Sequence, residues 1–246
     1  NSIQRSTRLL RLLHSARIER RGLYDADISI AVTPEDADCA CRAFGIQSIV
    51  IPTCVSDFAV FSRLRPEYSS LVKRKTVLFL GFYGHYPNVD GLKWYLDNVH
   101  AVVRKKVPDV EFLVVGSGAN DMIKALCEGT PNVKFVGQVE DIVESIAEAR
   151  VCVAPLVSGA GIRGKVNQYS AVGRPTVSTS IGVCGLPYKN NEDIFIRDNP
   201  DEFADCVARL LLDDKLWQNM ANRARSVVRT HFMWEPVVRE LERHYV

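Results

Sequence analysis

Residues 155–178 read PLVSGAGIRGKVNQYSAVGRPTVS and combine glycines with two closely spaced cations. The glycines stand at 159, 161 and 164, and the cations are Arg163 and Lys165. Glycines let a backbone approach a ligand closely, and free N–H groups at a helix N-terminus favour an anion. The segment therefore suits a diphosphate, whose negative charge grows when its bond to carbon breaks. Spacing alone leaves a second interpretation equally open, a surface loop with two solvated cations.

The elements that position this segment are predicted from apolar runs that alternate with helical spacing. Between the runs lie segments such as residues 92–103, whose apolar side chains recur on one helical face. This alternation predicts βαβ units and a parallel sheet. The fold is therefore expected to be α/β, a Rossmann-like doubly wound sheet with its ligands beyond the carboxyl ends of the strands. Its six strands are predicted at Val77–Leu80, Phe112–Val115, Val133–Val136, Val151–Ala154, Thr176–Ser178 and Ile194–Ile196.

The first 61 residues predict a smaller, partial α/β segment. It contains a basic helix (Arg5–Arg21), strands at Ile28–Val32 and Ile49–Ile51, and a helix that begins at Thr33-Pro34. Two strands and two helices do not readily bury a core alone. We therefore expect residues 1–61 to be the end of an incomplete N-terminal domain, and a chain without an initial Met to be a fragment of a longer protein.

The remaining organisation follows from composition and helical spacing. Residues 62–75 are polar and basic, as expected of a linker, and residues 76–230 form the main domain. After the last strand the chain is predicted to be helical, with a final helix in residues 231–246. The predicted helices are Pro200–Leu212, Asp213–Thr230 and Glu235–Tyr245.

The overall composition excludes several classes of protein. The 246 residues are 47% hydrophobic and 24% charged, and a net charge of +2 gives no argument for nucleic-acid binding. No stretch approaches the ~18 apolar residues that span a bilayer. Cys152 and Cys206 lie in apolar segments and read as core residues, so we expect a reducing, cytoplasmic compartment. The basic first helix suits either an anionic membrane surface or, as its pattern favours, the core of the missing domain.

Two other glycine-rich turns follow predicted strands. Gly81 and Gly84 follow the first strand, and Gly116-Ser117-Gly118 follow the second. Neither turn completes the G-x-G-x-x-G spacing, so an NAD-dependent oxidoreductase is only weakly supported. The five histidines form no metal-ligand pair, and we expect no metal. Only His85, in the loop after the first strand, stands where a ligand could reach it.

Several longer runs resemble the C-terminal, donor-binding domain of GT-B glycosyltransferases of the group 4 and group 1 type. They include LFLGFYGHYPNVDGLKWYL, EFLVVGSG, VKFVGQVEDIVESIAEARVCVAPL and GAGIRGKVNQYSAVGRPTVSTSIGVCGL, in order over about 170 residues. The resemblance implies transfer of a sugar from a UDP- or GDP-sugar to a glycan or lipid-linked acceptor. It also implies retention of configuration, no metal and no cofactor. The last helix of that fold crosses back to the N-terminal domain, a role for residues 234–242.

The resemblance also implies roles for individual residues. The loop from Gly81 through His85 to Asn88 would approach the sugar and the diphosphate. Backbone around Val139 would frame the nucleobase. Arg163 and Lys165 would hold the diphosphate and stabilise it as a leaving group, with Gly161 in the same loop and Gln168 facing the ribose.

The sequence departs from the family at two positions, Ala160 and Gln168, where many relatives carry glutamates with seven residues between them. The neutral amide of Gln168 accepts a ribose hydroxyl more weakly than a carboxylate does, by roughly 1 kcal/mol or about fivefold in affinity. This departure keeps an alternative open, a catalytically degenerate module that binds a nucleotide or a partner chain without turnover.

Overall fold

The structure is a computed structural model that describes residues 2–55, 74–159 and 161–245, with the backbone alone for residues 2–9. The chain divides into two compact units, Asn1–Pro52 and Thr53–Val246. Most of the predicted linker (62–75) and Ala160 fall outside the described residues. Within the described ranges, no helix has the length and apolar character needed to cross a membrane.

The first unit is a small α/β segment, as predicted. It contains α1 (Ser2–Asp25), β1 (Ile30–Ala31), α2 (Pro34–Phe44) and β2 (Ile49–Val50). The two strands are parallel, with Ile30 opposite Ile49. Helix α2 begins where the sequence predicts, because the Thr33 side chain accepts a hydrogen bond from the Asp36 amide and Pro34 occupies the first turn.

Several of the apolar side chains described on helix α1 are exposed to solvent. Leu10, Leu12, Leu13 and Ile18 are each between 50% and 65% exposed. The predicted helix is confirmed. Its two interpretations, as a membrane-surface helix or as part of a larger core, stay predictions.

The second unit is built on a six-stranded parallel sheet with the order β5-β4-β3-β6-β7-β8. All six predicted strands are present in it. Their bounds are β3 (Thr76–Leu80), β4 (Glu111–Val115), β5 (Val133–Gly137), β6 (Val151–Ala154), β7 (Thr176–Ser178) and β8 (Phe195–Ile196). The chain winds outward from β3 to β5 and then restarts on the other side of β3 with β6. The order therefore reverses between β3 and β6, which is where ligands bind in doubly wound folds.

The helices lie in the intervals that the sequence predicts. They are α3 (Tyr86–Tyr95), α4 (Ala101–Lys106), α5 (Asp121–Glu128), α6 (Ile142–Glu148), α7 (Gly164–Val172), α8 (Pro200–Leu212), α9 (Asp214–His231) and α10 (Trp234–Glu242). A π-helical turn, Leu96–His100, joins α3 to α4. Polar N-caps fix several starts; the Asn199 side chain, for example, accepts from the Asp201 and Glu202 amides at the start of α8.

Both faces of the sheet are covered, as the doubly wound prediction requires. Val77 and Phe79 of β3 face one buried cluster, which includes residues of α3, α4 and α8. Leu78, between them, faces a second cluster with residues of α6, α7 and α9. Because successive strand residues point to opposite faces, this division fixes which side of the sheet each helix occupies. Cys152 and Cys206 are both buried in these clusters.

Candidate functional site

Two loops leave the sheet on either side of its switch point. One follows β3 and leads into α3, and the other follows β6 and leads into α7. The loops are held close, because Gly91 of α3 packs against the Pro155 backbone: a Cβ at Gly91 would lie 2.8 Å from the Pro155 carbonyl oxygen. Helix α7 is tied to the sheet by the Leu80 amide, which donates to Tyr169 Oη at 2.8 Å.

The glycine-rich turns after β3 and β4 pack backbone against backbone. Gly116 has a φ of 132°, and a Cβ there would stand 1.8 Å from the Gly81 carbonyl oxygen. Only glycine fits such an approach. The Gly81 amide in turn donates to Val115 O at 3.0 Å. These glycines bring the ends of the two strands together and leave open space above them.

That space is a cavity of about 400 Å³ at the carboxyl ends of the strands. Its lining combines backbone turns, amide side chains and one cation: Leu80, Gly81, Phe82, Asn88, Gly116, Ser117, Gln138, Val139, Ile142, Lys165 and Gln168. Five of the eight residues that the sequence singles out are therefore brought together, although they come from segments up to 87 positions apart, Gly81 to Gln168.

Lys165 supplies the positive charge of the cavity. Its Nζ donates to Asn88 Oδ1 at 2.6 Å and lies 4.4 Å from the centre of the Phe79 ring, which is fully buried. Burial, together with the smaller effect of the nearby positive charge of Arg163, lowers the pKa of Lys165 to about 7. The ammonium is thus held near its titration point, and an anion in the cavity would favour its charged form.

Arg163, Gly161 and His85 are not among the residues that line the cavity. Arg163 is 9% exposed, and its Nη1 donates to the Gly161 carbonyl at 2.7 Å, which braces the loop that precedes α7. Its positive charge contributes, after burial, to the lowered pKa of Lys165. His85 is exposed at the N-cap of α3.

Part of the cavity lining is apolar. Val139 and Ile142 contribute apolar surface, and the Gly137 carbonyl accepts from the Gly116 amide at 2.7 Å. Gln168 is one turn along α7 from Lys165 and half-buried, so its amide shares the helix face that looks into the cavity.

Sequence reasoning missed three contributors to this site. Phe79 lies under Lys165, while Leu80 and Ile142 line the cavity. All three look like ordinary strand or helix residues in the sequence, and only their position at an element's end marks them. The part of the chain that the structure describes contains no cluster of three His, Cys, Asp or Glu side chains that could hold a metal ion.

The chain belongs to the family of group 1 glycosyl transferases, whose model matches residues 74–213. Among curated proteins it is similar to the phosphatidyl-myo-inositol mannosyltransferase of Mycobacterium tuberculosis, at 28% identity over 215 residues, 83% of this chain and 55% of that protein. It is also 28% identical over 135 residues, 52% of this chain and 35% of that protein, to an uncharacterized 44.6 kDa protein in the cps region of Klebsiella pneumoniae. The chain thus spans about half the length, or less, of these relatives.

Solved structures share the fold at lower identity. A variant of S. aureus TarM, in complex with fondaparinux, alpha-GlcNAc-glycerol and UDP, superposes with a TM-score of 0.76 at 17% identity, over 94% of this chain and 46% of that one. Anabaena HepE in complex with UDP and glucose gives a TM-score of 0.73 at 15% identity, over 94% and 66%. Sucrose-phosphate synthase of Thermosynechococcus elongatus gives 0.72 at 20% identity, over 94% and 60%. The predicted GT-B fold is therefore confirmed.

Proposed function

We propose that this chain is the donor-binding part of a glycosyltransferase that moves a sugar from a nucleotide-diphosphate sugar to an acceptor. The observation that carries the proposal is the Lys165 ammonium, buried against Phe79 and open to the cavity at the switch point of the sheet. A diphosphate gains negative charge as its bond to the sugar breaks, and a preorganised cation in a partly dry site stabilises that charge.

The rest of the site fits the same ligand. The N-terminus of α7 lies beside Lys165 and has no side-chain cap at Arg163, and the amides of a helix N-terminus favour a phosphate group. Gln168 would contact the ribose, and the backbone around Val139 would frame the base, as the resemblance implies. Two neighbours of this fold were solved with UDP, which supports a nucleoside diphosphate as the ligand.

Titration calorimetry with UDP, GDP and ADP tests the proposal directly. We expect one of the three to bind, and its binding to be weakened in Lys165→Met, which removes the charge and keeps the apolar contact with Phe79. Lys134→Met, an exposed lysine on β5, is the matched control and should bind as the wild type does. If none of the three binds, or if NAD binds in their place, the proposal is wrong.

The finer features of the reaction belong to the same proposal. Transfer with retention and without a metal, to a glycan or lipid-linked acceptor, follows from the resemblance. The mycobacterial relative is by name a mannosyltransferase of phosphatidyl-myo-inositol, which supports a lipid-linked acceptor. Acceptor binding and any peripheral attachment to the cytoplasmic face of a membrane would depend on an N-terminal domain, to which the unit Asn1–Pro52 would belong and back to which α10 would cross.

One observation favours a second candidate function, a nucleotide-binding module without turnover. Gln168 lines the cavity with a neutral amide. Many members of the family that the sequence resembles carry an acid at this position. The two functions differ in sugar transfer by the full-length protein, assayed with the nucleotide sugar whose nucleotide binds. Release of nucleoside diphosphate that depends on acceptor supports the enzyme. Tight binding without release supports the module.

A further inference from the structure

The amide of Asn88 has its orientation set by the backbone. Its Nδ2 donates to the Phe82 carbonyl at 2.9 Å, and a carbonyl oxygen can only accept. The amide oxygen therefore points the other way, toward Lys165 Nζ at 2.6 Å. The side chain is 8% exposed and packs tightly against Gly81, where a Cβ would come within 3.2 Å of Asn88 Cγ.

Lys165 therefore has a fixed hydrogen-bond acceptor on one side and the Phe79 ring on another. An ammonium has three N–H donors, so the amide oxygen leaves donors for a ligand in the cavity. A flexible lysine loses side-chain entropy when it is immobilised, and a prior contact reduces the entropy that is lost on binding. Among the described residues, the charged group identified as acting on this ammonium is Arg163, while Asn88 and Phe79 are uncharged.

We propose that Asn88 is a positioning residue, which holds the Lys165 ammonium in place for the diphosphate through its backbone-oriented amide oxygen. The proposal rests on the proposed function, since it assumes a diphosphate in the cavity. The interaction between Asn88 and Lys165 itself is present without any ligand. Asn88 thus acts through Lys165, in addition to any contact of its own with the sugar.

Replacement of Asn88 by alanine tests the proposal. Asn88→Ala removes the acceptor and should weaken binding of UDP, GDP or ADP, whichever binds the wild type most tightly, by about tenfold at pH 7. The matched control is Asn98→Ala: Asn98 also donates its amide to a backbone carbonyl, Trp94 O at 2.9 Å, but is exposed and away from the cavity. It should bind as the wild type does.

The pH dependence separates positioning from a general structural defect. Loss of an acceptor that favours the ammonium lowers the pKa of Lys165, so the midpoint at which binding weakens with rising pH should move to lower pH in Asn88→Ala. Asn88→Asp loses the donor to Phe82 O and adds a negative charge beside the ammonium, which favours the charged lysine, so its midpoint should move to higher pH. A merely structural role would not move the two midpoints in opposite directions. Titration of the ligand-free chain, followed by NMR of labelled lysine, should show the same two shifts.

The outcomes also separate this proposal from the proposed function. If a nucleoside diphosphate binds, and Lys165→Met weakens binding while Asn88→Ala matches Asn98→Ala in affinity and midpoint, the positioning role is wrong and the function stands. If no nucleoside diphosphate binds but the ligand-free Lys165 titration still shifts in opposite directions in the two Asn88 variants, the contact is real and the proposed function is wrong. If that titration does not shift either, the positioning role fails on its own account.

Discussion

Cations rest against aromatic rings at both ends of the six-stranded sheet. At the carboxyl end, Lys165 lies over Phe79. At the amino end, where β6 and β7 begin, Arg150 and Arg174 lie over Trp217, at 5.9 and 5.5 Å from its ring. At both ends, a cation–π contact with an aromatic ring stabilises the positive charge.

The two ends differ in how the charge is satisfied. At the amino end, Arg150 Nε donates to Leu210 O at 3.0 Å, Arg174 Nη2 donates to Ala147 O at 2.6 Å, and Trp217 Nε1 donates to Arg150 O at 2.6 Å. The acceptors of the two arginines are thus backbone carbonyls and, for Arg150, also the carboxylate of Asp214, whose side chain is exposed. Lys165, by contrast, meets a side-chain amide and a cavity.

The choice of cation follows the same division. Burial lowers the pKa of Arg174 to about 10, which leaves it charged at neutral pH. Burial lowers the pKa of Lys165 to about 7. Arginine thus supplies a charge that persists at neutral pH, whereas the charge of Lys165 can respond to its surroundings. The amino end holds its cations in packed surroundings, and the carboxyl end holds a titratable cation beside a cavity.

The largest expected effect is on the amino end. Trp217→Ala removes the ring beneath two cations and the donor to Arg150 O, and it should lower the free energy of unfolding by about 3–5 kcal/mol. Urea unfolding measures this loss. Trp217→Phe keeps a ring and loses only the N–H donor, so it should cost about 1–2 kcal/mol. Nucleotide affinity of the folded variants should not change. A large change would show that the amino end also affects nucleotide binding and would contradict the separate roles proposed for the two ends.

The next effect is on the carboxyl end. Lys165→Met should weaken binding of the preferred nucleoside diphosphate by roughly 30- to 100-fold, which corresponds to about 2–3 kcal/mol for a charge-assisted contact. Calorimetry at pH 6.5 measures it, with Lys134→Met as the control. A loss of less than about threefold would place the main anion contact elsewhere in the site.

A third prediction contrasts the stability effects of the two cations. The folded-state pKa of Lys165, about 7, lies below its ordinary value of 10.5, so the unfolded chain binds more protons between these limits. The free energy of unfolding of the wild type should therefore rise with pH across this window. Below pH 7 Lys165 is charged in the folded chain, so the folded chain then bears the whole free-energy cost of burying that charge.

Lys165→Met removes that cost. In the absence of ligand, it should raise the free energy of unfolding by about 1–2 kcal/mol at pH 6, a figure reduced for screening by water in the cavity, with a gain that shrinks toward pH 9.5. Arg174→Met should instead lower stability at both pH values, because Ala147 O loses its donor. Urea unfolding at the two pH values measures both variants. If the free energy of unfolding changes in the same direction in both variants, the proposed difference between the two cations is wrong.

The smallest expected effect concerns the ribose. Gln168→Glu replaces a neutral acceptor by a charged one and should strengthen nucleotide binding by about fivefold, or roughly 1 kcal/mol. Calorimetry with the preferred nucleotide and with its nucleoside measures the gain, which should appear with both if the contact is to the ribose. A weaker affinity would show that the added carboxylate opposes the phosphates instead.

Most of the fold could be predicted from the sequence because its signals are local. Each of the six strands is a short apolar run, and the helix over residues 92–103 shows its buried face in its spacing. The π-helical turn Leu96–His100 was not predicted, since it keeps the same apolar face while it changes the hydrogen bonding.

The site could be predicted only in part, because its contacts depend on how distant strands pair. The glycines and Lys165 are visible in the sequence, and the resemblance points to Gln168. The contact of Lys165 with Asn88 and Phe79 depends on β6 lying beside β3, with Val77 opposite Val151, which no local pattern specifies. The burial of Arg174, which is 1% exposed and helps to close the amino end of the sheet, likewise depends on packing that no local pattern specifies.

The strand order has a consequence for what would hold the two halves of the sheet together. Strands β3, β4 and β5 come from one continuous stretch of chain and β6, β7 and β8 from the next, so the two halves of the sheet meet only along the β3–β6 seam. The cavity takes Gly81 and Asn88 from the first half and Lys165 and Gln168 from the second. A ligand that contacted residues of both halves would favour the joined state, and its stabilising free energy would grow with the logarithm of its concentration. A bound nucleotide would then stabilise the pairing of β3 with β6 and so hold the two halves of the sheet together.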